Sequence, residues 1–78
     1  MEWIEELAVS FGIDPLGPHE ITDLLDAARD VAHGVERKVT PVATYLVGMA
    51  VQRKLAEGRP HGEALAEALA DLRRSIPA

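Results

Sequence analysis

Residues 29 to 48, Arg-Asp-Val-Ala-His-Gly-Val-Glu-Arg-Lys-Val-Thr-Pro-Val-Ala-Thr-Tyr-Leu-Val-Gly, constrain the fold more than any other stretch, because the chain changes character twice within them. Arg29, Asp30, His33, Glu36 and Arg37 crowd ionisable groups into about two helical turns. Pro41 then opens a run that is apolar nearly all the way round. The Thr40-Pro41 pair gives this boundary a mechanism: a threonine hydroxyl at the cap accepts a free helix N–H, and the proline ring presets φ for the first helical position. A helix therefore starts at about residue 40, and another ends just before it.

The rest of the chain divides in the same way, and the pattern predicts an all-α, compact four-helix bundle with helices over about 2–11, 18–34, 40–57 and 62–75. In the first, Trp3, Ile4, Leu7, Ala8 and Phe11 recur on one face, and Trp3 is expected in the core with its ring N–H at the edge. Glu2, Glu5 and Glu6 favour the dipole at its start, and Gly12 supplies the left-handed residue that ends it. The second helix begins at Pro18, and its expected core arc comprises Ile21, Leu24, Leu25, Ala28, Val31, Ala32 and Val35. Gly34 loosens its end. Asp26, Asp30 and His33 point the opposite way.

The third helix leaves so little polar surface that it is expected at the centre, packed on several sides, with Thr44 and Gly48 forming a flat strip for close helix approach. Gly58 ends it. The fourth helix places Leu65, Leu69, Leu72 and Ile76 on one stripe, and Arg73 and Arg74 complement its C-terminal dipole. No segment alternates with the two-residue period of a strand.

A chain of 78 residues holds one domain, residues 1–78, and a domain this small buries only roughly 60% of what its unfolded form exposes. It has no cysteine, so neither disulfides nor thiolate zinc sites contribute, as suits a reducing cytoplasm. Met1-Glu2-Trp3-Ile4-Glu5-Glu6 lacks the basic and apolar regions of a secretion signal, and the apolar run from 42 to 51 is too short to cross a bilayer. The expected location is cytoplasmic, away from membranes. Eight Lys plus Arg against 13 Asp plus Glu give a net charge of −5, which disfavours nucleic acid. A local cluster of Arg37, Lys38, Arg53 and Lys54 still offers contact to an anion.

Three constellations deserve weighing for chemistry. Asp26, Asp30 and His33, at i, i+4 and i+7, share a helix face and have the spacing of metal ligands, but they face away from the predicted core, where bundles hold metals. A solvated face is the preferred reading, so no metal is assigned. Arg29, Asp30, His33, Glu36 and Arg37 together form a surface able to orient a partner or an anionic ligand, against the plainer reading of ordinary i,i+3 and i,i+4 pairs on an exposed helix. Tyr45 lies one turn into the third helix, with its hydroxyl expected near this connector. His19 and His61 are expected in loops, without a partner that would make either a base. Ser10 and Ser75 lack a nucleophile's setting, the glycines form no phosphate cradle, and no catalytic residue or cofactor is called for.

From residue 25 to 48, the pattern Leu-x3-Arg-Asp-Val-Ala-His-x2-Glu-Arg-x3-Pro-x3-Tyr-Leu-x-Gly resembles a small, functionally uncharacterised bacterial domain family, many of whose members begin with a Trp-Ile pair like Trp3-Ile4 here. The family is found mainly in actinobacteria, alone or joined to nucleotidyltransferase domains similar to the molybdenum-cofactor guanylyltransferase. Many relatives carry a proline directly after the Glu-Arg pair, where this chain has Lys38, a less rigid connector. The resemblance implies a non-catalytic accessory module whose partner is a nucleotidyltransferase of molybdenum cofactor synthesis. The rival readings are a ligand- or metal-binding enzyme domain using Arg29, Asp30 and His33, and a structural module built from two copies of the chain.

Overall fold

In a computed structural model, residues 2–77 are described, and they form an all-α fold of four helices: α1 (Glu2–Ser10), α2 (Pro18–Gly34), α3 (Thr40–Ala56) and α4 (His61–Ser75). A single 3-10 turn over Arg37–Val39 joins α2 to α3. Among the described residues no strand forms and no helix is long and apolar enough to cross a membrane.

Two helix ends follow directly from glycine. Gly12 has φ +71°, and around it the N–H of Ile13 reaches Ala8 O at 3.0 Å while the N–H of Gly12 reaches Val9 O at 2.9 Å. Gly58, at φ +93°, repeats the arrangement, with Arg59 N–H to Lys54 O at 3.2 Å and Gly58 N–H to Leu55 O at 2.9 Å. Both are the paired bonds by which a left-handed residue satisfies the last carbonyls of a helix. At the other end of α2, Pro18 stands just inside the helix and the Glu20 carboxylate accepts the Gly17 N–H at 3.0 Å. The side chain three residues in thus closes the helix start.

The core is small-residue packing. Ala27 of α2, Val47 and Val51 of α3, and Ala64, Leu65, Ala68 and Leu69 of α4 form one buried cluster, with Leu24, Ala50, Leu55 and Leu72 packed against it. Among the described residues, Leu69, 1% exposed, is the one large side chain that is fully enclosed. The central element is therefore α4, packed on both α2 and α3, and not α3 as its composition suggested. Only Val47 and Val51 of α3 are buried, while Val42, Tyr45, Leu46 and Met49 lie exposed on its far side. The reason is that a helix apolar all round needs neighbours all round, and α2 and α4 cover only one side.

The face of α2 differs too. It is buried at Ala27, 1% exposed, and Val31, so Leu25 and Val35 of the expected arc come out into solvent. Small residues on facing helices, Ala27 against Ala64 and Ala68, let the backbones approach and so select this face. Gly34 is the last residue of α2. It seats the side chain of Ile76, into which any Cβ at this position would run.

Helix α1 stands apart from this triad: none of its Cα atoms comes within 8 Å of one in α2, α3 or α4. Ala8 is buried, but Trp3 is 68% exposed, contrary to its expected core position. Between α1 and the other helices lies a groove of about 900 Å³, lined by Ile4, Leu7 and Phe11 on one wall and by Val47, Gly48 and Val51 on the other. No helix approaches the Thr44–Gly48 strip as its small residues suggested. A Cβ at Gly48 would meet nothing within 4 Å, and both residues line the groove.

Candidate functional site

The corner where α2, the 3-10 turn and α3 meet carries the charged residues singled out from the sequence. Arg29, Asp30, His33, Glu36 and Arg37 are all exposed, as the amphipathic pattern of α2 requires, and Tyr45 of α3 is 71% exposed. The turn after Gly34 positions them: the N–H groups of Val35 and Glu36 both bond to Val31 O, at 2.9 and 3.2 Å, and Glu36 in extended conformation then leads into the turn.

Their charges are not equally available. Asp30 is held by Arg73 of α4, whose Nε donates to Oδ2 at 3.2 Å while the same guanidinium reaches the Asp23 carboxylate and its backbone carbonyl at 3.4 Å. Asp23 and Asp30, seven residues apart, are thus two jaws closed on one cation, a clamp between α2 and α4. Glu36 pairs with Lys38 at 3.5 Å. The side chains of Arg29, His33 and Arg37 make no ion pair or hydrogen bond with any described residue. The corner therefore presents two free cations and an imidazole, with the carboxylates of Asp30 and Glu36 already engaged.

Asp26, Asp30 and His33 do lie on one exposed face, but Asp30 is turned to Arg73. Among the described residues no group of three or more His, Asp or Glu side chains is arranged to hold a metal ion. Thr40 does not cap α3. Val39 occupies the cap position, Pro41 lies in the first turn, and the Thr40 hydroxyl is enclosed without a hydrogen-bond partner. The 3-10 turn extends directly into α3 with helical dihedrals at Thr40, so the threonine is already inside the helix, where its side chain cannot reach the free N–H groups. Thr44 donates instead to Pro41 O at 3.0 Å.

Two features escaped the sequence reading. His61 is not in a loop: it opens α4, and its Nδ1 lies 2.9 Å from Glu20 Oε2, which ties the starts of α2 and α4 together at one end of the groove. Nothing in the spacing pairs residues 20 and 61. The second is a charge network on the α3–α4 side, where Glu67 accepts from both Arg59 and Lys54, the latter at 3.3 Å, and Lys54 lies 4.0 Å from Asp71. Hydrogen bonds from Arg59 and then Lys54 hold the Glu67 carboxyl below its ordinary value, and the bond to Glu67 raises Arg59. Lys54 is thereby removed from the basic cluster expected to meet an anion, whereas Arg37 and Arg53 remain exposed.

A sequence profile described as Domain of unknown function (DUF6457) matches residues 1–78. No curated protein and no solved structure matches the chain.

Proposed function

The chain belongs to the DUF6457 family along its whole length, and on that premise we propose that it is a non-catalytic cytoplasmic module that works by protein contact, its partner being a nucleotidyltransferase of molybdopterin guanine dinucleotide synthesis. The observation that carries the contact reading is the state of the α2–α3 corner. Arg29, His33 and Arg37 are exposed without an ion-pair or hydrogen-bond partner among the described residues, and the Tyr45 ring of α3 is exposed as well, although the chain engages most of its other charged groups. Arginine and tyrosine are residue types enriched in contact surfaces, because a planar guanidinium and a rigid amphipathic ring bury much area for little lost freedom. What points to the nucleotidyltransferase is the Arg-Asp-Val-Ala-His-x2-Glu-Arg pattern, whose free members are these same residues.

The test is binding to the purified molybdenum-cofactor guanylyltransferase of the same source. Arg29→Glu and Arg37→Glu are each expected to lower affinity by about ten-fold, more at low than at high salt, because exposed charges steer association and are screened by ions. Helical content should not change, since both side chains are exposed and neither makes an ion pair or hydrogen bond with a described residue. Absence of binding at about 100 μM, a concentration at which contacts of ordinary size register, or equal binding by both variants, overturns the reading.

A further inference from the structure

We propose that two copies of this chain associate reciprocally, the α1 segment of each lying against the outer face of α3 of the other. The surface overlaps the α2–α3 corner at Arg37 and Tyr45 but does not use Arg29 or His33, so substitution of Arg29 separates this proposal from the nucleotidyltransferase reading.

The outer face of α3 is left uncovered by the described residues. Val42, Tyr45, Leu46 and Met49, at i, i+3, i+4 and i+7, form an unbroken stripe, each residue more than half exposed. The spacing matches the seam by which helices pack on helices, and an exposed apolar stripe of this kind marks a contact surface. Its ends are basic. Arg37 and Lys38 precede it, Arg53 follows it one turn after Met49, and no Asp or Glu occurs between residues 37 and 56.

That charge pattern selects the occupant. Packing α3 on α3 of another copy would bring cations together in either orientation: Arg53 against Arg37 and Lys38 if antiparallel, Arg53 against Arg53 if parallel. The stripe requires an apolar segment flanked by carboxylates, and the same sequence contains one. Through residue 28 the chain has no Lys or Arg, and α1 carries Glu2, Glu5 and Glu6 around the exposed Trp3 and Val9, followed by the exposed Phe11 and Ile13. This segment is also the part of the fold that is least committed, joined to the triad through Gly12 and standing off from it across the groove.

Exchanging α1 in both directions satisfies both faces at once and closes as a two-fold pair, so association stops at two. A contact of ordinary size needs roughly 800 Å² from each partner, about a seventh of the 5784 Å² surface of the chain. The two segments bring four exposed large apolar side chains each, Val42, Tyr45, Leu46 and Met49 from α3 and Trp3, Val9, Phe11 and Ile13 from the α1 segment.

Sedimentation across about 10 to 500 μM, the range in which an interface of this size shows itself, tests the proposal. The expected result is a monomer–dimer equilibrium weakened about ten-fold or more by Leu46→Asp, and weakened separately by Arg53→Glu and by Glu6→Lys. Combining Glu6→Lys with Arg53→Glu should recover most of the loss, because the salt link is then restored with its signs exchanged. All of these side chains are exposed, so circular dichroism should report unchanged helicity, and Arg29→Glu should leave the dimer as it was. A chain that stays monomeric throughout the range, a dimer indifferent to Leu46→Asp, or one strengthened by Arg53→Glu overturns the proposal. The last of these would mean that α3 packs on α3.

Discussion

Thr40 shows how one residue separates two accounts of the same boundary. As a cap, its replacement by valine would cost about 1 kcal/mol. As an enclosed hydroxyl without a partner, it carries a desolvation penalty that valine does not, so Thr40→Val is expected to be neutral or to stabilise by up to about 1 kcal/mol in urea unfolding. Glu67 gives a pH dependence with a definite sign. Its folded-state pKa lies below the ordinary 4.5, so its stabilisation is present above that value and is lost as pH falls through the depressed one. Glu67→Gln should therefore be less stable than the parent at pH 6, and the gap should shrink toward zero as the carboxyl protonates. A gap that persists at low pH would mean that packing, and not charge, was removed. In the core, Leu69→Ala should cost about 2 to 5 kcal/mol, enough to unfold much of so small a domain.

Helix boundaries were the most legible part of the sequence, because they depend on local chemistry. Gly12 and Gly58 end α1 and α3 with positive φ, and Pro18 opens α2, as their residue types alone indicate. Alanine at Gly12 or Gly58 should destabilise by about 1 kcal/mol, with the loss read from the thermal midpoint, since no other contact opposes or offsets the strained φ. Gly34 belongs to another class. Its φ is ordinary, so alanine would gain helix propensity, yet the Cβ would collide with Ile76, and Gly34→Ala is expected to lose stability that Gly34→Ala with Ile76→Ala partly regains. Rotation of an element about its axis was less legible. The shift of α2 toward Ala27 and the uncovered side of α3 depend on what stands opposite, which periodicity within one helix does not encode.

For the molecule as a whole, the decisive fact is that three helices share the core while the fourth stands across a groove. The sequence predicts three amphipathic helices around one, the third in the chain, that is apolar nearly all round, and from them a compact bundle. It carries no signal for how far apart two apolar faces will sit, nor for pairs as distant as Glu20 with His61 or Asp30 with Arg73. The free residues of the corner were legible for a simpler reason: they lie on the polar side of α2, and a polar side stays outside. In dilute solution the amides of α1 should exchange with solvent well before those of α4, because few buried contacts oppose its opening. Equal protection of the two helices would show that the groove is closed.

The seat that Gly34 provides for Ile76 holds the segment after α4 against the last turn of α2. A protein tethered beyond that point through a short flexible leash would be held close to the unpaired arginines, and its encounter with them would become intramolecular, at a local concentration reaching the millimolar range. Even a feeble docking reaction would then run nearly to completion, so fusing a candidate enzyme at this end offers a way to detect an attachment too weak to survive dilution.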